Sequence, residues 1–221
     1  MHPETLAPVS ENTVPIKENL KETGSFSETR KAVQNEVPND IFNQRAEAVL
    51  NDDHAREGLR NAIQEYEGRL PLTGGVWSGD PGNSEWYPDR KETPGNPLYN
   101  PEGRTWAEIL DDNGVDGISF KNGEPDFSEV SEGTVDIDDF SSERNLNYTQ
   151  ADEKLAATWS GEGKDGNTWA PDDVKIYRQE NKLTWHERTD MKTMDLVPRD
   201  LHGGVPHAGG ISEIKKRGMV S

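Results

Sequence analysis

Leu183-Thr184-Trp185-His186-Glu187, Asp195-Leu196-Val197-Pro198 and Leu201-His202-Gly203-Gly204-Val205-Pro206-His207 follow one another closely near the end of this 221-residue chain. Thr and Trp in an alternating pattern favour extended backbone over 183–188, and 193–197 reads as a second strand. Asp190-Met191-Lys192 is the expected turn between them. Pro198 suits the first position of a helix running to His202, which Gly203-Gly204 would end. The resulting order is strand, turn, strand, helix. In such a unit the end of the first strand meets the face of the helix, so His186 and Glu187 come near His202, with His207 returning from the next loop.

Three of the five histidines fall within 183–207. A single histidine in an acidic chain of this length is usually a surface or core residue without a role. Three in one segment, ringed by Gly, Pro and turn residues, point to a site that binds a divalent cation or polarises water. The competing reading is a non-catalytic interaction module whose histidines hold a structural zinc.

Thr-Trp-His-Glu, then a Met-x-Leu-Val-Pro segment and Leu-His-x-x-x-Pro-His-x-Gly-Gly, resembles the HNH/endonuclease VII superfamily, the His-Me finger nucleases. The similarity is greatest to the Trp-His-His branch found as the C-terminal toxin domain of bacterial polymorphic toxins. It extends upstream through Gly79-Asp80-Pro81-Gly82-Asn83-Ser84 and through the run Gly117 to Ser128, covering about 75–217. The resemblance implies an α+β protein with a ββα-metal nuclease unit at its C-terminus, within about 170–217, and upstream helices and long loops around it. It implies a metal-dependent endonuclease acting on DNA, with an RNase bearing the same site as the alternative. It further implies an antibacterial toxin or effector used in interbacterial competition. Such a toxin is secreted or delivered into the target-cell cytoplasm and neutralised by a cognate immunity protein. Many relatives carry two adjacent histidines after the tryptophan, whereas this chain has Glu187 in the second place. The base is therefore assigned to His186. Three roles stay open to Glu187: direct metal ligand, partner that orients His186, or support behind the ligands.

Phosphodiester hydrolysis needs an activated water, stabilisation of developing negative charge and help for the departing oxygen. A neutral imidazole can take a proton from water near neutral pH. One divalent metal ion held by His202 and His207, with Glu187 as a further candidate, would bind the phosphate. Imidazoles favour Zn, Ni or Mn, and a carboxylate with open water positions admits Mg.

Composition frames this site. Leu, Ile, Val and Phe number 40 of 221, about 18%, and the formal net charge is −18. Both lie at the edge of the range for disordered chains, so part of the protein is expected to be loose or to need a partner. No stretch approaches a membrane span and no signal-peptide core follows Met1. The absence of cysteine removes disulfides and thiolate metal sites. Net acidity opposes nucleic-acid binding, but its distribution softens the objection: 170–221 carry a net +1 and the first 169 residues −19. Arg188, Lys192, Arg199, Lys215, Lys216 and Arg217 are candidate phosphate contacts, with a merely solvated basic end as the competing reading of the last three.

Residues 1–37 read as a flexible leader or linker, with the chain as the terminal piece of a larger polypeptide. Residues 38–74 read as a helical segment with an apolar stripe, and 75–221 as the nuclease domain. The stretch 71–105, dense in Gly, Pro, Asn and Asp, reads as a long loop pinned to the body by Trp77, Trp86 and Tyr87, in preference to base stacking. A short helix is expected over 106–110, a strand and turn over 117–127, and a solvated acidic edge over 135–140. Helices are expected over 149–160, capped by Thr149, and over 171–181, with Asp172 and Asp173 at its positive end.

Overall fold

The computed structural model describes residues 52–66 and 69–219. The expected leader 1–37, and most of the expected helical segment before Asp53, lie outside them. Helix α1 (Asp53–Glu65) opens the described part and is followed by strands β1 (Gly75–Trp77) and β2 (Glu85–Pro88). Helix α2 (Trp106–Asn113) precedes β3 (Ile118–Lys121), β4 (Glu124–Asp126) and β5 (Gly133–Asp136). Then come α3 (Arg144–Glu162), a 3₁₀ turn, α4 (Pro171–Glu180), β6 (Leu183–Glu187), β7 (Thr193–Pro198), α5 (Arg199–Gly204) and α6 (Gly210–Met219). The fold is α+β.

Two antiparallel sheets organise the described residues. The first runs β1-β2-β3-β4 and the second β5-β7-β6. Trp77, Trp86, Trp106, Ile109, Leu110 and Phe127 form the core of the first sheet with α2, and Val197, Leu201 and Val205 from the C-terminal unit join it. The other core packs Val135, Leu183, Trp185, Met194 and Leu196 of the second sheet against Leu155, Trp159 and Val174 of α3 and α4. Alternation along β6 and β7 sends Trp185 and Leu196 to the helices, while His186 and Val197 face the first sheet. The C-terminal unit is therefore sandwiched between the two cores.

The expected loop 71–105 contains β1 and β2. Trp77 and Trp86 are core residues, 8% and 2% exposed. The high content of turn residues there masks two very short strands. The expected strand and turn of 117–127 is a β3–β4 hairpin closed by Asn122 (φ 53°) and Gly123 (φ 77°). Asn-Gly favours this turn because both of its central positions need positive φ. The expected acidic edge of 135–140 supplies the end of β5, with Val135 and Ile137 buried and the exposed Asp136 between them.

Thr149 does not cap its helix. Helix α3 begins five residues earlier, and the Thr149 hydroxyl donates to the Asn145 carbonyl inside it at 2.9 Å. Asp152 also leaves the helix surface: it accepts from Trp185 Nε1 (2.8 Å) and from Arg178 Nη2 (2.8 Å), tying β6 to α3 and α4. Helix α4 starts at Pro171 as expected, and the Asp173 carboxylate accepts from the Ala170 amide at 2.9 Å.

Candidate metal centre

Strand, turn, strand and helix stand where the sequence puts them. Trp185 pairs with Leu196 and His186 with Asp195 across β6 and β7. The Asp190 carboxylate accepts from the amides of Lys192 (2.9 Å) and Thr193 (2.8 Å), and Met191 takes positive φ at 57° to close the turn. Pro198 differs from expectation: it ends β7 and occupies the N-cap of α5, whose first residue is Arg199. Gly203-Gly204 form the last two residues of α5, which ends on Gly204. A Cβ on Gly203 would lie 2.3 Å from the Tyr99 ring, and one on Gly204 2.7 Å from Trp106 Cη2. Only hydrogen on these Cα atoms lets α5 approach the rest of the molecule this closely.

That approach carries His202 to His186. Nδ1 of His186 and Nε2 of His202 are 3.2 Å apart, and His207 Nδ1 donates to the Val205 carbonyl at 2.7 Å, leaving Nε2 of His207 as its free lone pair. One nitrogen from each of His186, His202 and His207 lies within 4.8 Å of the others. Two imidazole ligands at Zn–N distances of 2.0–2.1 Å in tetrahedral geometry place their nitrogens about 3.3 Å apart. The 3.2 Å separation of this one pair is compatible with a shared cation, and equally with a hydrogen bond between the two rings. The donor set fits equally in chemistry, three borderline bases suited to Zn, Ni or Mn.

Burial is the largest cause depressing the pKa of all three histidines below the usual value, and for His186 and His202 the charge of neighbouring imidazoles adds to it. All three are consequently neutral near pH 7, the form a metal binds. Phe127 packs its ring against each of them, at centroid distances of 5.0, 5.6 and 6.0 Å. This apolar wall lies in the loop after β4, where the sequence offers no periodic signal for it.

Glu187 takes the opposite direction from His186. Its Oε2 accepts from Arg144 Nε (2.9 Å) and its Oε1 from Asn147 Nδ2 (2.8 Å), both on α3. The carboxylate is not among the groups that converge with the three imidazoles. It lines the same cleft, however, a cavity of about 420 Å³ whose walls include Tyr99, Arg144, His186, Glu187, His202, His207 and Lys215. Arg144 was missed in the sequence because it lies 43 residues from its partner; its side chain stays 53% exposed above the buried carboxylate.

The expected phosphate contacts divide. Lys215 lines the cleft from α6, and Lys216 and Arg217 follow it on that helix, Lys216 pairing with Glu213 at 3.4 Å. The expected basic end is thus helical. Arg188 is bound by both oxygens of the fully buried Asp195, at 2.6 and 3.0 Å, and Lys192 pairs with Asp136 at 2.7 Å. Arg199 donates to the Leu183 carbonyl at 3.3 Å, holding α5 to β6. The charge division near residue 169 is no structural boundary, because Tyr99, Phe127 and Arg144 build the site together with the C-terminal segment.

Fold and site define an α+β domain whose strand-strand-helix unit gathers three neutral imidazoles in a polar cleft. Residues 117–209 match the model of a protein family described as the DNase/tRNase domain of colicin-like bacteriocin. The matched segment begins at the β3–β4 hairpin and ends just past His207, so it contains the cluster and the buried wall around it. The match supports a nuclease toxin domain. No curated protein matches the chain. Among the described residues no helix is long and apolar enough to cross a membrane.

Proposed function

We propose that this protein is a metal-dependent endonuclease of the His-Me finger type that hydrolyses DNA, acting as a toxin delivered into a target bacterium and neutralised by an immunity protein. The convergence of His186, His202 and His207 is the observation that carries this reading. The ion, when bound, would supply Lewis acidity toward a phosphate oxygen and the leaving oxygen.

All three histidines are assigned as ligands, which moves His186 from base to ligand. A base needs a lone pair free for the attacking water, and Nδ1 of His186 is instead turned to His202. Glu187 is the acceptor that remains in the cleft. A carboxylate offers about four lone-pair sites, and Arg144 and Asn147 occupy two. Its free sites take the water proton, while the Arg144 guanidinium and Lys215 hold the phosphodiester by charge.

A tRNase is the second reading, favoured by the description of the matched family, which covers DNases and tRNases alike. The test incubates the protein with supercoiled plasmid and with total tRNA, each with added Mg, Zn, Mn or Ni and with excess chelator. Plasmid nicked only with metal is the expected result. Cleavage of tRNA alone would replace the substrate, and cleavage undiminished by chelator would overturn the metal assignment.

A further inference from the structure

We infer that Glu124, on β4 of the first sheet, is a positioning residue for the metal centre: its carboxylate takes the Nε2–H of His186 and so fixes the tautomer and orientation in which His186 binds through Nδ1. The inference rests on the proposed metal role of the three histidines. Nδ1 of His186 faces the cluster, 3.2 Å from His202 Nε2. A neutral imidazole carries one proton, so giving the Nδ1 lone pair to a cation leaves that proton on Nε2. Nε2 is buried and has no hydrogen-bond partner among the described residues, a state in which buried donors are rarely left. Glu124 Oε1 lies 3.9 Å from it. That is too long for a hydrogen bond, but a movement of about 1 Å closes it.

Glu124 is itself held in place. Its Oε1 accepts from the Thr189 amide at 2.5 Å and its Oε2 from the Thr189 hydroxyl at 2.9 Å. Thr189 opens the turn between β6 and β7, so the same hairpin that presents His186 also anchors the carboxylate behind it. The Oε1 that already accepts one hydrogen bond keeps a second lone pair for His186. The first sheet thereby reaches the metal centre through one side chain. Carboxylates behind metal-bound histidines raise ligand basicity, and their loss typically costs 10–100-fold in metal affinity.

Zinc chloride titrated calorimetrically into the full chain, as wild type, Glu124→Ala, Glu124→Gln and His186→Ala, tests this, with melting curves as a check of folding. Glu124→Ala should bind zinc 10–100-fold more weakly, and Glu124→Gln, which keeps a carbonyl acceptor, should recover most of that loss. Nitrogen-15 spectra of the zinc-loaded protein should find His186 protonated at Nε2. Wild-type zinc affinity in a folded Glu124→Ala overturns the inference while sparing the metal site, as does a His186 coordinated through Nε2. Should Glu124→Ala fail to fold, the tautomer of His186 in the zinc-loaded wild type decides. If wild-type protein binds no zinc, both this inference and the reading beneath it fall.

Discussion

His186 and Glu187 are adjacent in sequence and opposed in space. Strand pleating turns one to the imidazole cluster and the other to α3, so each meets a different chemistry: His186 a set of lone pairs beside Phe127, Glu187 a guanidinium and an amide. Their substitutions should separate. Glu187→Gln keeps the shape of the side chain and should slow plasmid cleavage by on the order of 100-fold or more, the scale of losing a general base, while zinc affinity stays within a few-fold of wild type. His202→Ala should instead abolish tight zinc binding. Paired cleavage assays and calorimetry check this, and a Glu187→Gln variant that loses zinc along with activity would make Glu187 a ligand.

At the level of elements, the short helix α5 matters most, because it brings His202 to β6 and carries Leu201 into the core of the first sheet. Its position depends on side chains that are missing. Gly203 faces Tyr99 so closely that a Cβ would sit 2.3 Å from the ring, well inside contact distance. Gly203→Ala should destabilise the fold by about 1–3 kcal/mol, the usual cost of overpacking, and should also weaken zinc binding because α5 must shift away. Urea unfolding and zinc titration of the same variant measure both. Unchanged stability and unchanged affinity would mean that Tyr99 moves aside freely and that α5 is not held by this contact.

For the whole molecule, charge and burial make two further predictions. The cleft offers few cations, chiefly Arg144 and Lys215, in a chain of formal charge −18. DNA affinity of Glu187→Gln should therefore fall with salt on a log–log slope of only about −2, the value for two neutralised phosphates. A slope several times steeper in a salt series would show a larger basic surface than the cleft alone provides. Stability should also depend on pH. The folded-state pKa values of His186, His202 and His207 are depressed below 6.5, chiefly by burial. Above 6.5 these imidazoles are neutral whether the chain is folded or not. As pH falls below 6.5, the unfolded chain binds protons that the folded chain refuses, so stability is lost toward the depressed values. Urea melts of metal-free protein between pH 7.5 and 5 should record this decline. Stability that holds level through that range would mean the cluster is not desolvated.

Local pattern determined the β6–β7 hairpin, the helix after it and the start of α4, because strand alternation, the Asp190 turn and Pro171 act within a few residues of themselves. It also marked the three histidines as one group, since 16 residues of strand, turn and helix suffice to bring His186 to His202. The family resemblance agrees with the match over 117–209 in pointing to a nuclease toxin. Local pattern failed for β1 and β2, strands of three and four residues whose existence depends on pairing with each other and with β3. It failed for Thr149, which has the chemistry of a cap but sits within a helix that begins earlier. It could not supply Glu124 and Phe127, 62 and 59 residues before His186, or Arg144, 43 before its partner Glu187, which come to the site by packing of the first sheet and α3 around the hairpin. The family resemblance assigns the base to His186, and the ligand role proposed in its place rests on which ring nitrogen faces its neighbours, a property of the packed interior.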